Sequence, residues 1–350
     1  MKQYSCAAVT KTGRRRNNQD NFCLDGAGAP LNHTTERSVT SKEDEPFVAL
    51  VADGMGGEER GEYASYLASQ RFCRVSLRSG AKRAENARQI HEAILNSNAD
   101  ICSEMRSSGS KRMGSTVVSA LIQDGVLNYT NLGDSRLYLL RKGRLTQLTE
   151  DHTEAQLMLN AGVLTKEQLK NHPSSNKLSR HLGIFPEELQ LDIPHYDEIT
   201  LKDGDTLLLC SDGVWGVLSE PEIARILSTA GEAKDCAEAL TDAAFSAGSR
   251  DNMTALVIQV RETAAAAGGK SKRRGLILCL IDGALVAALI VAVICLIGRG
   301  KGVFKPTEPT ASPMAAPTQE PTAEPTEAPT GPPPGAPPGG PPPTARPPAG

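Results

Sequence analysis

Three aspartates stand where apolar runs stop or start. Phe47-Val48-Ala49-Leu50-Val51-Ala52 ends on Asp53-Gly54-Met55-Gly56-Gly57. Thr206-Leu207-Leu208-Leu209-Cys210-Ser211 ends on Asp212-Gly213, and Asp251-Asn252 leads into Met253-Thr254-Ala255-Leu256-Val257-Ile258. An unbroken apolar run of that length reads as a strand buried on both faces. A carboxylate delivered at its tip and followed by glycine sets charged oxygen beside bare backbone carbonyls. Hard divalent cations take that combination of donors. Carboxylate, carbonyl and water suit Mg²⁺ and Mn²⁺, whereas zinc takes His or Cys. A single Asp before Gly is only a turn signal. Three at strand ends point to one shared metal site.

The elements that must hold these tips can be read from periodicity. Residues 4–10 and 20–24 read as strands on either side of Gly13-Arg14-Arg15-Arg16-Asn17-Asn18-Gln19-Asp20. Residues 25–46 are polar and turn-rich and read as a surface loop. Glu62–Val75 is helix-like, and Ala84–Met105 is a clearer helix with Ala87, Ile90, Ile94, Ser97, Ile101 and Met105 along one face. Strands follow at 116–122, 126–132, 136–140 and 144–148, with hairpin turns at Asp124-Gly125 and Lys142-Gly143. Residues 153–178 read as a helical piece and a polar loop. Asp203-Gly204 reads as a further hairpin turn before the Asp212 strand. Ser219-Glu220-Pro221-Glu222 has capping-box spacing, and 233–247 is helical. Strands in runs joined by hairpins, with helices between the runs, indicate an α+β layered domain.

Charge does not choose among the three arginines of the first turn. Strict strand alternation would put Arg15 and Asp20 on opposite faces, so Asn17-Asn18 must bend the chain or insert a bulge. Residues 263–350 hold eight of the 38 Lys/Arg and five of the 41 Asp/Glu, which leaves residues 1–262 a net charge of −6. That balance excludes a basic field for nucleic acid. The eight cysteines show no CxxC spacing and read as reduced thiols of a cytosolic domain. None is followed by Arg at the C-x₅-R spacing, which excludes a cysteine-dependent phosphatase.

The tail divides differently. Residues 263–275 are a basic linker, with Lys270, Lys272, Arg273 and Arg274. Residues 276–297 are 22 positions long with one charge, Asp282, enough for a transmembrane helix. Residues 298–350 are Pro/Thr-rich: 17 of the 23 prolines fall from Pro306 onward, so this stretch has no means to bury a core and reads as disordered. The first residues, Met1-Lys2-Gln3-Tyr4-Ser5-Cys6-Ala7, lack an apolar signal core. The expectation is a single-pass protein of the cell membrane, with residues 1–262 cytoplasmic and the tail extracytoplasmic.

Six motifs occur in order: Arg15 five before Asp20, Asp53-Gly54-x-Gly56-Gly57, Gly114-Ser115-Thr116, Gly133-Asp134-Ser135-Arg136, Ser211-Asp212-Gly213 and Arg250-Asp251-Asn252. Together they resemble the metal-dependent protein phosphatase 2C family in its bacterial form, over roughly residues 4–260. The resemblance implies two packed antiparallel β-sheets flanked by helices, with a metal cluster at one edge. It implies that Asp53 bridges two Mn²⁺ or Mg²⁺ ions, with the Gly54 carbonyl on one and Asp212 and Asp251 on the other. Asp134 matches a third, weaker metal position. Asp20 would act through metal-bound water, and Arg15 would grip the substrate phosphate. Two hard cations acidify a shared water and stabilise an in-line displacement at phosphorus.

Two positions depart from the family. Gln19 stands where a Glu is usual. Met55 stands where many eukaryotic relatives carry a His proposed as general acid, so this chain has no proton donor there.

The function expected is a membrane-anchored serine/threonine phosphatase with a monomeric catalytic domain. It would act on phosphorylated proteins, opposing a membrane Ser/Thr kinase. The rival is a pseudophosphatase that binds phosphopeptides.

Overall fold

Strand alternation builds the molecule from two antiparallel sheets packed face to face, with helices covering both outer surfaces. The structure, a computed structural model, describes residues 2–24, 26–31, 36–56, 60–110, 112–169 and 172–262. In chain order the strands β1 (Lys2–Lys11), β2 (Asp20–Leu24), β3 (Ala27–Gly28), β4 (Arg37–Glu43) and β5 (Phe47–Met55) precede helices α1 (Gly61–Cys73) and α2 (Arg83–Ser108). Next come β6 (Gly114–Ser115), β7 (Val117–Gln123), β8 (Val126–Leu132), β9 (Arg136–Arg141) and β10 (Arg144–Gln147). Two short helices follow, α3 (Glu154–Asn160) and α4 (Lys166–Leu169). β11 (Ile199–Thr200), β12 (Thr206–Cys210), the one-turn α5 (Asp212–Trp215), α6 (Glu220–Thr229), α7 (Ala233–Ser246) and β13 (Met253–Glu262) close the order.

One sheet runs β10-β9-β12-β13-β1-β4; the other runs β11-β8-β7-β5-β2-β3, with β6 on the end of β5. Period-two alternation decides what each strand buries. Phe22, Leu24, Ala49, Val51, Leu207, Leu209, Leu256 and Ile258 meet between the sheets. Their neighbours Cys23, Leu50 and Ala52 pack under α1 and α2, and Leu208, Cys210, Ala255 and Val257 pack under α6 and α7. The buried stripe of α2 includes Ile90, Ile94, Ser97, Ile101 and Met105, as the sequence spacing requires. Ser219 and Glu222 form the reciprocal cap of α6.

Three details correct the sequence reading. The stretch 25–46 is not all loop, because β4 pairs with β1 from Tyr4↔Glu43 to Thr10↔Arg37. Val39, its one apolar residue, packs on the core, so no apolar alternation marks it, and a polar edge strand of this kind discourages unwanted pairing. Asp203-Gly204 is a turn but not a hairpin, since β11 pairs with β8 in one sheet and β12 with β9 and β13 in the other. β5 runs through Asp53 and Gly54 to Met55 before it turns. Among the described residues no helix is long and apolar enough to cross a membrane. The linker 263–275, the apolar run 276–297 and the Pro/Thr-rich 298–350 lie outside the described residues.

Candidate active site

At one end of the sandwich the inward faces turn polar together. Thr10 follows Cys6 and Ala8 on β1, Asp20 precedes Phe22 on β2, and Asp53 follows Val51 on β5. Ser211 follows Leu209, and Thr254 precedes Leu256. Alternation alone therefore aims these side chains into the space between the sheets. Register does the rest. Asp20 pairs directly with Asp53 across β2 and β5, and like charges directly opposite are destabilising unless something positive lies between them. β1 and β13 pair out to Lys11↔Met253, which lays the turn 13–17 against 250–252.

Asp20 is anchored on one oxygen. Its Oδ2 accepts from Ser211 Oγ and Thr254 Oγ1, both at 2.7 Å. Because the Thr254 hydroxyl gives its proton to Asp20, Thr10 Oγ1 must donate to Thr254 across 2.7 Å, and Asn18 Nδ2 donates to Thr10 at 2.9 Å. All protons of this relay run toward the carboxylate. Asn18 Oδ1 also accepts from the Asp20 amide at 3.1 Å. Strict alternation does not apply between Arg15 and Asp20, because β1 ends at Lys11 and residues 13–17 form turns and bends, starting at Gly13 with a φ of 63°. Asp20 Oδ1 and Asp212 Oδ1 are buried without a hydrogen-bond partner.

Backbone contacts fix the remaining tips. The Asp53 amide donates to Thr116 Oγ1 at 2.9 Å, and the Asp53 carbonyl accepts from the Thr116 amide at 2.8 Å. A Cβ on Gly54 would stand 2.1 Å from the Gly61 carbonyl, so only glycine lets α1 approach β5 there. Asp134 follows Gly133, whose amide donates to His152 Nδ1 at 3.2 Å and whose carbonyl accepts from the His152 amide at 3.0 Å. His152 is thus a support for the Asp134 turn. Asp212 opens α5. Asp251 Oδ2 accepts from Arg15 Nη2 at 2.7 Å.

The sequence reading gave no role to Asn252, yet it splices the site together. Its Nδ2 donates to the carbonyls of Thr12 (2.8 Å) and Asn17 (2.9 Å), and its Oδ1 accepts from the Gln19 amide at 2.8 Å. Gln19 Nε2 donates to Glu62 Oε2 at 3.3 Å, and its carbonyl accepts from the Gly54 amide at 2.9 Å. Arg14 lies over the Phe245 ring, 5.4 Å from its centroid, and Arg16 is exposed. Of the three arginines, Arg15 alone pairs with a candidate metal ligand. Ser211 and Thr254 were legible in principle, because each continues the inward face of its strand.

The electrostatics are those of crowded anions. Burial, then the charges of Asp212 and Asp251, push Asp20 up to about 7 against the bonds from Ser211 and Thr254. Burial and then Asp212 push Asp134 up to about 7. Burial and Asp251 push Asp212 up to about 6. Asp53 is raised well above the usual range, by burial first and then by Asp20, Asp212, Asp134 and Asp251. Oxygen-only donors, two unpartnered buried carboxylate oxygens and mutual repulsion are what a hard divalent cation relieves. Among the described residues no three acidic, His or Cys side chains close around one point as a complete ligand set. A cation that keeps several of its waters and takes one or two carboxylates fits that spacing. The residues therefore fit Mg²⁺ or Mn²⁺.

A pH dependence follows from the sign of these shifts. Without cations, folded carboxyls at about 6 to 7 hold protons that the unfolded chain releases near the ordinary 3.8, so stability falls as pH rises toward 7. A cation must displace those protons, and its apparent affinity drops about tenfold per pH unit for each proton released. The rise in melting temperature caused by Mn²⁺ should be small at pH 5.5 and grow through pH 8. An increment that does not change with pH would place Mn²⁺ elsewhere.

The comparisons with known proteins agree with this geometry. The family model for protein phosphatase 2C matches residues 17–254. The serine/threonine phosphatase stp of Listeria monocytogenes is 35% identical over 227 residues, covering 63% of this chain and 86% of the relative. The crystal structure of the Mycobacterium tuberculosis serine/threonine phosphatase PstP/Ppp superposes with a TM-score of 0.62 at 27% identity, covering 74% of this chain and all of that one (100%). The catalytic domain of PstP in complex with two manganese ions gives 0.58 at 27% identity, covering 75% of this chain and 100% of the other. With its strand-tip carboxylates, its paired sheets and a match running from Asn17 to Thr254, this chain belongs to the protein phosphatase 2C family.

Proposed function

We propose that this chain is a metal-dependent protein serine/threonine phosphatase in which the strand-tip aspartates do the work. The observation that carries the reading is the direct opposition of Asp20 and Asp53, with Asp20 Oδ1 and Asp212 Oδ1 left without partners. Asp53 and the Gly54 carbonyl, with Asp212 and Asp251, would hold two Mn²⁺ or Mg²⁺ ions, and Asp134 a third and weaker one. When bound, the pair supplies an acidified water and neutralises charge at phosphorus. The chain's own residues do the rest. Asp20, fixed through Oδ2, orients water with Oδ1. Arg15 presents a five-donor fork of which one nitrogen is on Asp251, leaving others for phosphate oxygens.

With Mn²⁺ the protein should hydrolyse a phosphothreonine peptide, and chelator should stop it. Tight peptide binding without hydrolysis would support the phosphopeptide-binding module instead. In the same assay Arg15→Ala should raise KM about ten- to a hundredfold, the value of a charged bidentate contact of roughly 1.5–3 kcal/mol. Arg14→Ala and Arg16→Ala should cost a few-fold at most, and less in high salt. Three equal, salt-sensitive effects would mean a diffuse basic patch.

The same reading extends to the tail. Residues 276–297 span the cell membrane, which places a monomeric catalytic domain, 1–262, in the cytoplasm opposite membrane Ser/Thr kinases. The Pro/Thr-rich 298–350 then lies outside. Protease added to intact spheroplasts should trim only the tail, and loss of the catalytic domain would reverse the orientation.

A further inference from the structure

Past Asp53, β5 offers no proton donor beside the candidate site. Beyond Asp53 the next residue on the same face is Met55, a thioether. Beside Met55 stands His181. Residues 181–183 cross antiparallel to β6, with Ser115 N donating to the Leu182 carbonyl at 3.2 Å and Leu182 N to the Ser115 carbonyl at 2.8 Å. Gly114 pairs with Met55 in the β5–β6 register. A Cβ on Gly114 would stand 3.0 Å from His181 Nδ1 and 3.3 Å from Met55 Cγ. His181 Nδ1 and Met55 Cγ therefore flank one point, each within 3.3 Å of it.

The placement is rigid. Asn98 of α2 holds the segment from behind, its Oδ1 accepting from Gly183 N at 2.7 Å and Ile184 N at 3.2 Å, and its Nδ2 donating to the Ile184 carbonyl at 3.0 Å. His181 Nδ1 lies 2.8 Å from the Leu182 carbonyl. A carbonyl only accepts, so Nδ1 carries a hydrogen and Nε2 is the nitrogen that gains and loses a proton. Among the described residues Nε2 has no hydrogen-bond partner. A half-buried imidazole with a fixed tautomer and an unengaged Nε2 exceeds what packing requires.

We infer that His181 is the general acid that protonates the departing seryl or threonyl oxygen. The inference rests on the phosphatase reading above. In the step, water oxygen forms a bond to phosphorus while the ester P–O bond breaks and its electron pair goes to the leaving oxygen. The imidazolium Nε2–H gives its proton to that oxygen, and the water's proton passes to Asp20 or solvent. The products are the free alcohol and inorganic phosphate, and solvent reprotonates His181. An alkoxide leaves poorly without such a proton, whereas a nitrophenolate leaves unaided, so leaving-group dependence isolates the role.

The test compares His181→Asn, whose amide can keep the bond to the Leu182 carbonyl, on two substrates with Mn²⁺. For a phosphothreonine peptide kcat should fall about a hundredfold or more. For p-nitrophenyl phosphate it should stay within about threefold, a split that a structural role does not produce. His181→Gln repeats the comparison if the Asn variant melts early. Equal losses on both substrates, or an unchanged rate on the peptide, would overturn the assignment. A wild-type protein inactive on both substrates removes the phosphatase reading itself, and the inference with it.

Discussion

Asp53→Asn should silence the enzyme and at the same time stabilise its cation-free fold. Asp53 faces Asp20 across β2 and β5 with no residue between them, and each is buried among further carboxylates that raise its pKa. Ionising both is opposed by burial and by their mutual repulsion. Two unit charges about 5 Å apart at an effective dielectric near 20 repel by on the order of 3 kcal/mol. Asparagine keeps the shape and the Thr116 contacts, which are made by its backbone. It removes the repulsion and offers Asp20 Oδ1 a donor. In chelator at pH 8 the variant should melt several degrees higher than wild type, since each kcal/mol moves a domain of this size by roughly 2–4 °C. With Mn²⁺ the order should reverse, because wild type gains cation binding that the variant has lost. Turnover should fall at least about a thousandfold, since the residue assigned to both ions is gone. A variant that melts lower in chelator would show that Asp53 is a structural anchor; one that keeps its turnover would show that the ions sit elsewhere.

That pair also shows how far the sequence could be read. Asp53, Asp212 and Asp251 were visible because an apolar run that stops at a carboxylate breaks its own pattern. One shared site was expected from their common strand-end setting, but which side chains face one another was not visible, because that depends on register. Arg15 meets Asp251 only because β1 and β13, from opposite ends of the domain, pair as far as Lys11↔Met253. Periodicity within one segment carries no information about that partner. β4 was lost for a related reason: an edge strand is held by backbone bonds and shows little alternation. Asp203-Gly204 carried a true turn signal, but turn chemistry does not say which sheet the next strand joins. His181 was out of reach altogether. It matters through Gly114 and Met55, and nothing in its own neighbourhood in the chain announces either.

Arg136→Ala should be strongly destabilising although it only truncates a side chain. The guanidinium bonds Asp151 with Nε at 2.9 Å and Nη2 at 2.6 Å, gives Nη1 to the Tyr138 hydroxyl at 2.8 Å, and lies 3.4 Å from the centre of the Trp215 ring. The side chains of Arg136 and Asp151 are only 18% and 13% exposed, so this pair is not the solvated kind that contributes little. Truncating one partner leaves a carboxylate with a single remaining side-chain donor, Gln147 Nε2 at 3.1 Å. Breaking a buried pair in this way costs about 3–5 kcal/mol, which is roughly 6–20 °C in melting temperature. Lysine should not rescue it, because a point charge cannot reproduce both the fork to Asp151 and the stack on Trp215. Removing both charges, as Arg136→Ala with Asp151→Ala, should recover part of the loss, since no buried charge is then left unpaired. The effect should also reach the metal site. Trp215 ends the single turn α5 that Asp212 begins, so losing the stack frees Asp212 to shift. The Mn²⁺ concentration needed for half-maximal turnover should therefore rise several-fold in Arg136→Ala and stay raised in the double variant, even as stability returns. If the single variant costs under about 1 kcal/mol, the pair behaves as a surface contact. If stability and Mn²⁺ requirement recover together in the double variant, the link runs through Asp151 and not through Trp215.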